Sequence, residues 1–509
     1  MTDAVSGTHG RGRPAGVTIL VLFALMAAAV AVRLHGLNQD LVTFHPTRHY
    51  RSAVLARACY DEATPATPAW ALGVARANRD IQPAGEPQVL EWIACAAYRI
   101  VGYEDIEIPR VVSVICWVIG ALPIWFIGRR WTADAIALVG AALFLFLPYG
   151  IVASRNFQPD PLMTMSCAWA ILGLLRHHEK PTAGRRYLAA ALTGLALLLK
   201  PMSVFLVLPV AIGLAVAQRG WRRLPRSRAL VVLLVLALIP PGIFYGYSTL
   251  FGSLAQDQMK LRFVPSLLPT AFFWHGLLKM IRRVYGLPIL AAAVAGTMLA
   301  PTRAARAVLA ALWVGYVAFA VAFTYHMPTH DYYHLPYLVL AALGVVALLE
   351  RVRATIARDV PAPAMLAGGV LACAAVALWG SAKAWPALTV PNAAAIIARD
   401  QRIGELTQHD RRVLFLDPEY GYSLMYHGQL SGDYWPNVDD LAAEAYDGAT
   451  PIDARDRFVR DYADTHPTYF VATDMSSLKA EKDLQQLLAE RAVPVEQAPT
   501  YQVYRFVDP

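Results

Sequence analysis

Of the chain's 509 residues, 57% are hydrophobic and only 16% charged, and the apolar residues fall in long uncharged blocks. That composition belongs to polytopic membrane proteins and excludes an ordinary soluble domain. The formal charge of +8 lies in short segments between the blocks, not in a stripe interleaved with aromatics, so a nucleic-acid partner is excluded too.

Eleven uncharged blocks predict membrane spans, at 15–32, 111–128, 135–154, 161–175, 187–199, 201–218, 229–247, 284–302, 307–325, 332–349 and 360–382. A helix rises about 1.5 Å per residue and needs about 20 residues to cross the hydrocarbon, which makes the blocks from 161 and 187 short. The first follows Arg11 and Arg13 like a signal peptide, but no small-residue cleavage site precedes Arg33 and ten further blocks follow, so it reads as a retained helix. With residues 1–14 inside as a cytoplasmic tail, the inner segments carry 18 Lys or Arg against 5 Asp or Glu. This bias predicts a cytoplasmic N-terminus and, after eleven spans, an outer C-terminus.

Between the first and second spans lies a long outer loop, 34–110, with an amphipathic stretch at 50–60 and a semi-apolar one at 89–101 that suits the interface better than a crossing. Asp40, His45 and His49 offer a general base there, and Arg48 and Arg51 offer anion contacts, all within a dozen residues. Thr47 also reads simply as a helix cap.

The next outer segment, Arg155 to Pro161, ends in Asp160 before a proline. An N-cap followed by proline at the first helical position explains that pair. The functional reading is a surface carboxylate near Arg155 that orients a metal, a sugar or an acceptor. Lys200 precedes Pro201 at the turn of a short hairpin. It reads either as a snorkelling lysine or as a cation that holds a lipid phosphate. At 326–334 three histidines, an aspartate and two tyrosines share nine residues. Membrane anchoring accounts for the tyrosines; Asp331, His330 and His334 are candidate ligands for a divalent metal, and His330 and Tyr333 for a donor phosphate.

Beyond Lys383 the composition is that of a water-soluble domain. Strand-like runs at 413–416, 468–472 and 501–507 and a helical pattern at 478–491 predict a small α/β domain over 386–509, outside the membrane. Of five cysteines, four lie in apolar helical stretches and Cys59 in the outer loop, with no motif spacing. Neither a disulfide framework nor a zinc-thiolate site is expected.

The order of these features resembles the GT-C superfamily of membrane glycosyltransferases, in particular the polyprenyl-phosphate-sugar branch that contains protein O-mannosyltransferases and lipid A aminoarabinose transferases. The features are the long first outer loop, the stretch from Arg155 to Leu162, Gly194 to Pro201, and Tyr332-Tyr333-His334-Leu335-Pro336. The resemblance implies a polytopic α-helical fold, of about eleven spans, in the 15–385 region. It also implies transfer of a sugar, with inversion, from a polyprenyl-phosphate donor to a lipid, glycan or protein acceptor at the outer face of the inner membrane, with no nucleotide. A carboxylate of the first loop would deprotonate the acceptor, and cations would receive the leaving phosphate. Where the family carries an Asp-Glu pair before a Thr-Arg-Tyr-like stretch, this chain reads His45-Pro46-Thr47-Arg48. Arg48 carries over as a phosphate contact, while the base falls to His45, Asp40 or Asp160. The family's acidic residue and lysine before the interfacial helix appear as Gly85-Glu86-Pro87, without the lysine. A transporter of lipid-linked sugar and an inactive carrier-binding scaffold are the competing readings.

Overall fold

The structure, a computed structural model, describes residues 16–39, 44–82, 85–251, 262–356, 359–389, 393–446, 448 and 450–507. Asp40 and the tail at 1–14 lie outside the described residues.

Every apolar block falls on a helix. The first half contains α1 (Gly16–Leu34), α2 (Pro46–Ala63), α3 (Ala69–Asp80), α4 (Val89–Val101), α5 (Glu107–Gly128), α6 (Asp134–Phe146), α7 (Pro148–Ala153), α8 (Asp160–Glu179), α9 (Ala183–Leu199), α10 (Val204–Arg219) and α11 (Arg228–Phe251). Helices Ala271–Val284, Leu287–Met298, Arg303–Ala322, Leu338–Ile356 and Ala362–Leu388 complete the bundle. Among the described residues seven helical stretches are long and apolar enough to cross a membrane by themselves, and Asp134–Phe146 and Leu287–Met298 are shorter apolar helices. The block at 135–154 is not one helix. Pro148 has no N–H to continue the ladder, and the chain breaks into α6 and α7 at Leu147.

Close helix approach rests on small residues, as membrane packing requires. A Cβ on Gly315 would sit 1.8 Å from the carbonyl oxygen of Phe205, and one on Gly296 equally close to that of Gly344. The apolar core of the bundle runs through Trp117, Phe144, Leu206, Leu312 and Leu343.

In the first loop, α2 and α4 are linked by a disulfide between Cys59 and Cys95. This corrects the expectation of unpaired cysteines. The two lie 36 residues apart, and only the packing of α2 on α4 shows that they face each other. Three other cysteines, Cys116, Cys167 and Cys373, are free and buried.

The C-terminal region forms a five-stranded mixed sheet of order β2-β1-β3-β5-β4. The strands are β1 (Val413–Leu416), β2 (Gly432–Tyr434), β3 (Tyr469–Ala472), β4 (Ala492–Ala498) and β5 (Tyr501–Phe506). β1 pairs in parallel with β2 and β3, while β5 runs antiparallel to β3 and β4. Sequence patterning misses β2, which is three residues long, and β4, which begins just after the helical pattern at 478–491. The helix expected at 478–491 is two, Met475–Ala480 and Lys482–Arg491.

This domain rests directly on the first loop. Tyr50, Ala53 and Val54 of α2 and Leu90, Ala94 and Tyr98 of α4 share one buried cluster with Val413, Phe415, Leu424, Val471 and Val503. Arg57 ties the contact with a 2.7 Å bond to Glu104 and its guanidinium 4.0 Å from the centre of the Tyr426 ring.

Closing a loop of 36 residues removes about 3–4 kcal/mol of chain entropy from the unfolded state. Cys59→Ser should therefore lower the thermal midpoint of the purified protein by several degrees. Intact-mass analysis under thiol alkylation without reductant should show Cys59 and Cys95 unlabelled in the parent chain; labelling of both would disprove the bond.

Candidate functional site

The site forms where three chain segments meet: the start of α2, the turn between α9 and α10, and the 3-10 turn Asp331–Tyr337. All seven residues of that turn are buried. α2 opens on Pro46 at its first position, and His45 before it adopts φ 49°, ψ 56°, the left-handed region. That conformation is uncommon for a residue other than glycine and costs about 1 kcal/mol or more. Tertiary contacts hold it. His45 has no cap bond to its own helix; instead Glu419, from the loop after β1, accepts from the Thr47 N–H at 3.0 Å and from the Thr47 hydroxyl.

The His45 imidazole lies 2.6 Å through Nε2 from Asp331 Oδ1. The Tyr149 hydroxyl donates to the same oxygen at 2.7 Å, and Arg283 Nε stands 2.9 Å from Oδ2. Asp331 is buried, and this carboxylate faces a histidine and a phenol through Oδ1 and a guanidinium through Oδ2. With Nε2–H donating to Asp331, Nδ1 of His45 is left as the lone-pair nitrogen, the arrangement by which a carboxylate fixes the tautomer of a catalytic histidine. The ring packs edge-on to Tyr332 at 4.8 Å, and Tyr332 lines the adjoining recess.

That recess is bounded by Asp160, Lys200, Tyr332 and Tyr333, with Met163 and Phe319 on its apolar side. Lys200 is 2% exposed and Asp160 3%. Lys200 Nζ donates to both Asp160 oxygens at 2.9 and 3.0 Å and lies 5.7 Å from the centre of the Tyr332 ring. Lys200 is thus no snorkelling side chain at an exposed turn. Asp160, with both oxygens held by the ammonium, is the counter-ion of Lys200.

Around this pair stand further charges. Arg48 is 3.8 Å from Glu86 and 5.9 Å from the Tyr332 ring centre. Burial would raise the Glu86 carboxyl, but Lys200, Arg48, Arg51 and Arg262 outweigh it and hold the pKa below the ordinary value. The lysine absent beside Glu86 in sequence is therefore supplied in space by Lys200. Four cations against two carboxylates, Asp160 and Glu86, leave a surplus of positive charge beside the dyad. Arg51 also reaches Gln82 at 3.2 Å. Arg262 was not singled out in the sequence, because nothing but the fold brings it from a distant outer segment; the same holds for Arg283, Tyr149 and Glu419.

Other candidates lie elsewhere. Arg155 is buried away from the recess and donates to the Gly36 carbonyl at 2.6 Å, while its own carbonyl accepts from Arg110 at 3.1 Å. It braces the entry to the first loop. His49 accepts from the Phe157 N–H at 3.1 Å, and burial, with Arg110 and His427 nearby, pushes its pKa well down. It is a neutral structural residue.

The proposed metal triad does not assemble. His334 accepts from the Tyr316 hydroxyl at 2.8 Å and points Nε2 at the Met327 carbonyl at 2.8 Å, so both nitrogens are used. His330 contacts the Thr329 hydroxyl through Nδ1 at 2.7 Å, and Asp331 faces His45. No group of three His, Cys, Asp or Glu able to hold a metal occurs among the described residues. His330, pushed down to about 4 by burial and by His45 and Arg48, offers an anion only a neutral N–H. Its ring lies 6.0 Å from that of Tyr333, which lines the recess.

Apolar helices, a charged recess at one face and an α/β domain packed over it describe a polytopic membrane protein. A family model described as dolichyl-phosphate-mannose-protein mannosyltransferase matches residues 85–245. Among solved structures, ArnT from Cupriavidus metallidurans in the apo state superposes with a TM-score of 0.60 at 14% identity, covering 96% of this chain and 97% of that one. The same protein bound to undecaprenyl phosphate gives 0.59 at 14% identity with the same coverage. An oligosaccharyltransferase from Archaeoglobus fulgidus, tethered to an acceptor peptide, gives 0.53 at 12% identity over 97% of this chain and 74% of that one. No protein of curated function matches. These likenesses establish the fold that the order of sequence features suggested.

Removing one member of a buried ion pair costs about 3–5 kcal/mol, because the other charge is left without a partner. Lys200→Met should therefore destabilise the protein strongly, and Lys200→Met with Asp160→Asn should recover most of that loss. Thermal midpoints of the two single variants and the double variant test this; additive losses would show that the pair is not coupled.

Proposed function

We propose that this protein is a glycosyltransferase that moves a sugar from a polyprenyl-phosphate carrier to a cell-envelope acceptor at the outer face of the inner membrane. The observation that carries the reading is the adjacency of the His45–Asp331 dyad to the cationic recess around Lys200, Arg48 and Arg262. A base and a surplus of positive charge are what acceptor activation and phosphate departure require.

In the reaction, the acceptor hydroxyl gives its proton to Nδ1 of His45 as its oxygen attacks the anomeric carbon. Asp331, bonded through Nε2–H, stabilises the imidazolium that forms. The bond between the anomeric carbon and the phosphate oxygen breaks, and its electron pair leaves on the phosphate. Arg48, Arg262 and the free N–H of Lys200 receive that charge in a recess largely closed to water, where electrostatic stabilisation is strongest. Asp160 and Glu86 keep these cations in place before the donor arrives.

Two independent observations support an outward-facing recess. Arginine-rich segments lie on the opposite face, the bias expected of a cytoplasmic side. The Cys59–Cys95 bond suits an oxidising compartment, outside the inner membrane.

His45→Ala should abolish transfer while leaving binding of polyprenyl phosphate intact, measured with radiolabelled donor and by lipid-binding titration. His330→Gln should keep most of the turnover, because His330, pushed down to about 4 by burial and by His45 and Arg48, stands outside the His45–Asp331 pair. Turnover lost with His330 would transfer the role of base to it, and purified parent chain that binds donor without turnover would favour the inactive scaffold.

Glu419 positions the base through the α2 amide end. Loss of such a cap costs about 1 kcal/mol, so Glu419→Ala should lower kcat by about fivefold with little change in KM for the carrier. Glu419→Gln, which keeps an acceptor oxygen, should restore most of it. An equal rise in KM would instead mean that Glu419 serves donor binding.

A further inference from the structure

α8, 20 residues long, starts at Asp160 in the recess and ends at Glu179, about 30 Å away at the opposite face of the bundle. There a second cavity opens between the end of α8, the end of α10 and the start of α11. Its inner walls are apolar, with Leu174, Leu214, Leu230 and Leu233. Its mouth is polar and basic, with His177, His178 and Arg219.

Nδ1 of His177 at this mouth and Nε of Arg186 beside it are buried with no hydrogen-bond partner among the described residues, and the Arg186 guanidinium lies 5.3 Å from the centre of the Tyr187 ring. The acid on this stretch of α8, Glu179, faces Arg130 at 3.1 Å. Arg219, Arg222, Arg223 and Arg228 form no ion pair among the described residues. Topological charge bias accounts for arginines in a loop; it does not account for unpartnered buried nitrogens at the rim of an apolar cavity.

An apolar slot with a cationic rim at the headgroup plane has the shape and charge of a phospholipid: acyl chain against leucines, phosphate against histidine and arginine. We propose that this cavity binds an anionic phospholipid of the leaflet opposite the active recess, with its phosphate held by His177 and Arg219 and reached by Arg186. The apolar wall selects a lipid over a free phosphate ion, which would leave the leucines exposed. The site is independent of the transferase reading and survives its failure.

The test uses the full chain in mixed phosphatidylglycerol and phosphatidylcholine nanodiscs, released for native mass spectrometry. Phosphatidylglycerol should be retained in preference to phosphatidylcholine. Arg219 is exposed, so Arg219→Ala should fold normally and reduce that retention about fivefold, while Arg219→Lys should keep it. His177→Ala provides a second, independent loss at the mouth. Equal retention of the two lipids, or retention unchanged in both alanine variants, would overturn the proposal. Complete displacement by millimolar inorganic phosphate would overturn it as well, since the rim would then bind a free anion.

Discussion

The recess depends on one buried ion pair. Lys200 and Asp160 are each almost wholly withdrawn from water and survive there because an ammonium meets both oxygens of one carboxylate within 3.0 Å. Asp160 is the first residue of α8 and Lys200 ends α9, so the pair locks two helix ends at the same level of the bundle. Pro161 and Pro201, each just after its charged neighbour, fit the first positions of the segments that follow. The aromatic turn Asp331–Tyr337 then closes over the pair, with Tyr332 within reach of Lys200, Arg48 and His45.

From that anchor the recess divides into two halves. In one, the cations Lys200, Arg48, Arg51 and Arg262 exceed the carboxylates Asp160 and Glu86 beside a wall of Met163, Phe319 and Tyr333. In the other, Asp331 gathers His45, Tyr149 and Arg283. Tyr332 is common to both halves.

The C-terminal domain does more than cover the site. Its loop after β1 caps α2 through Glu419, and Asp417 organises that loop by accepting from the N–H groups of Glu419 and Gly421 at 2.8 and 3.1 Å. Tyr422 reaches Gln82 at 2.7 Å, and Gln82 in turn contacts Arg51. A domain more than three hundred residues downstream thereby sets the strained backbone of His45, and the shared apolar cluster with α2 and α4 makes that constraint rigid.

Local chemistry determined much of this in advance. Eleven uncharged blocks each became helix, since a backbone in hydrocarbon must satisfy its hydrogen bonds within itself. The β-rich runs at 413–416 and 468–472 became paired strands, and His45, Arg48 and Lys200 were legible as unusual residues at helix boundaries. What only the tertiary structure decided was which of these meet. Asp160 became the partner of Lys200, Arg155 turned to a backbone carbonyl, His334 was consumed by Tyr316 and Met327, and Cys59 found Cys95. The carboxylates that act on His45 and Thr47 came from Asp331 and Glu419, hundreds of residues away. Periodicity and propensity act over a few turns of chain, whereas charge pairing in a low-dielectric interior is set by distance in space, and no local pattern records that distance.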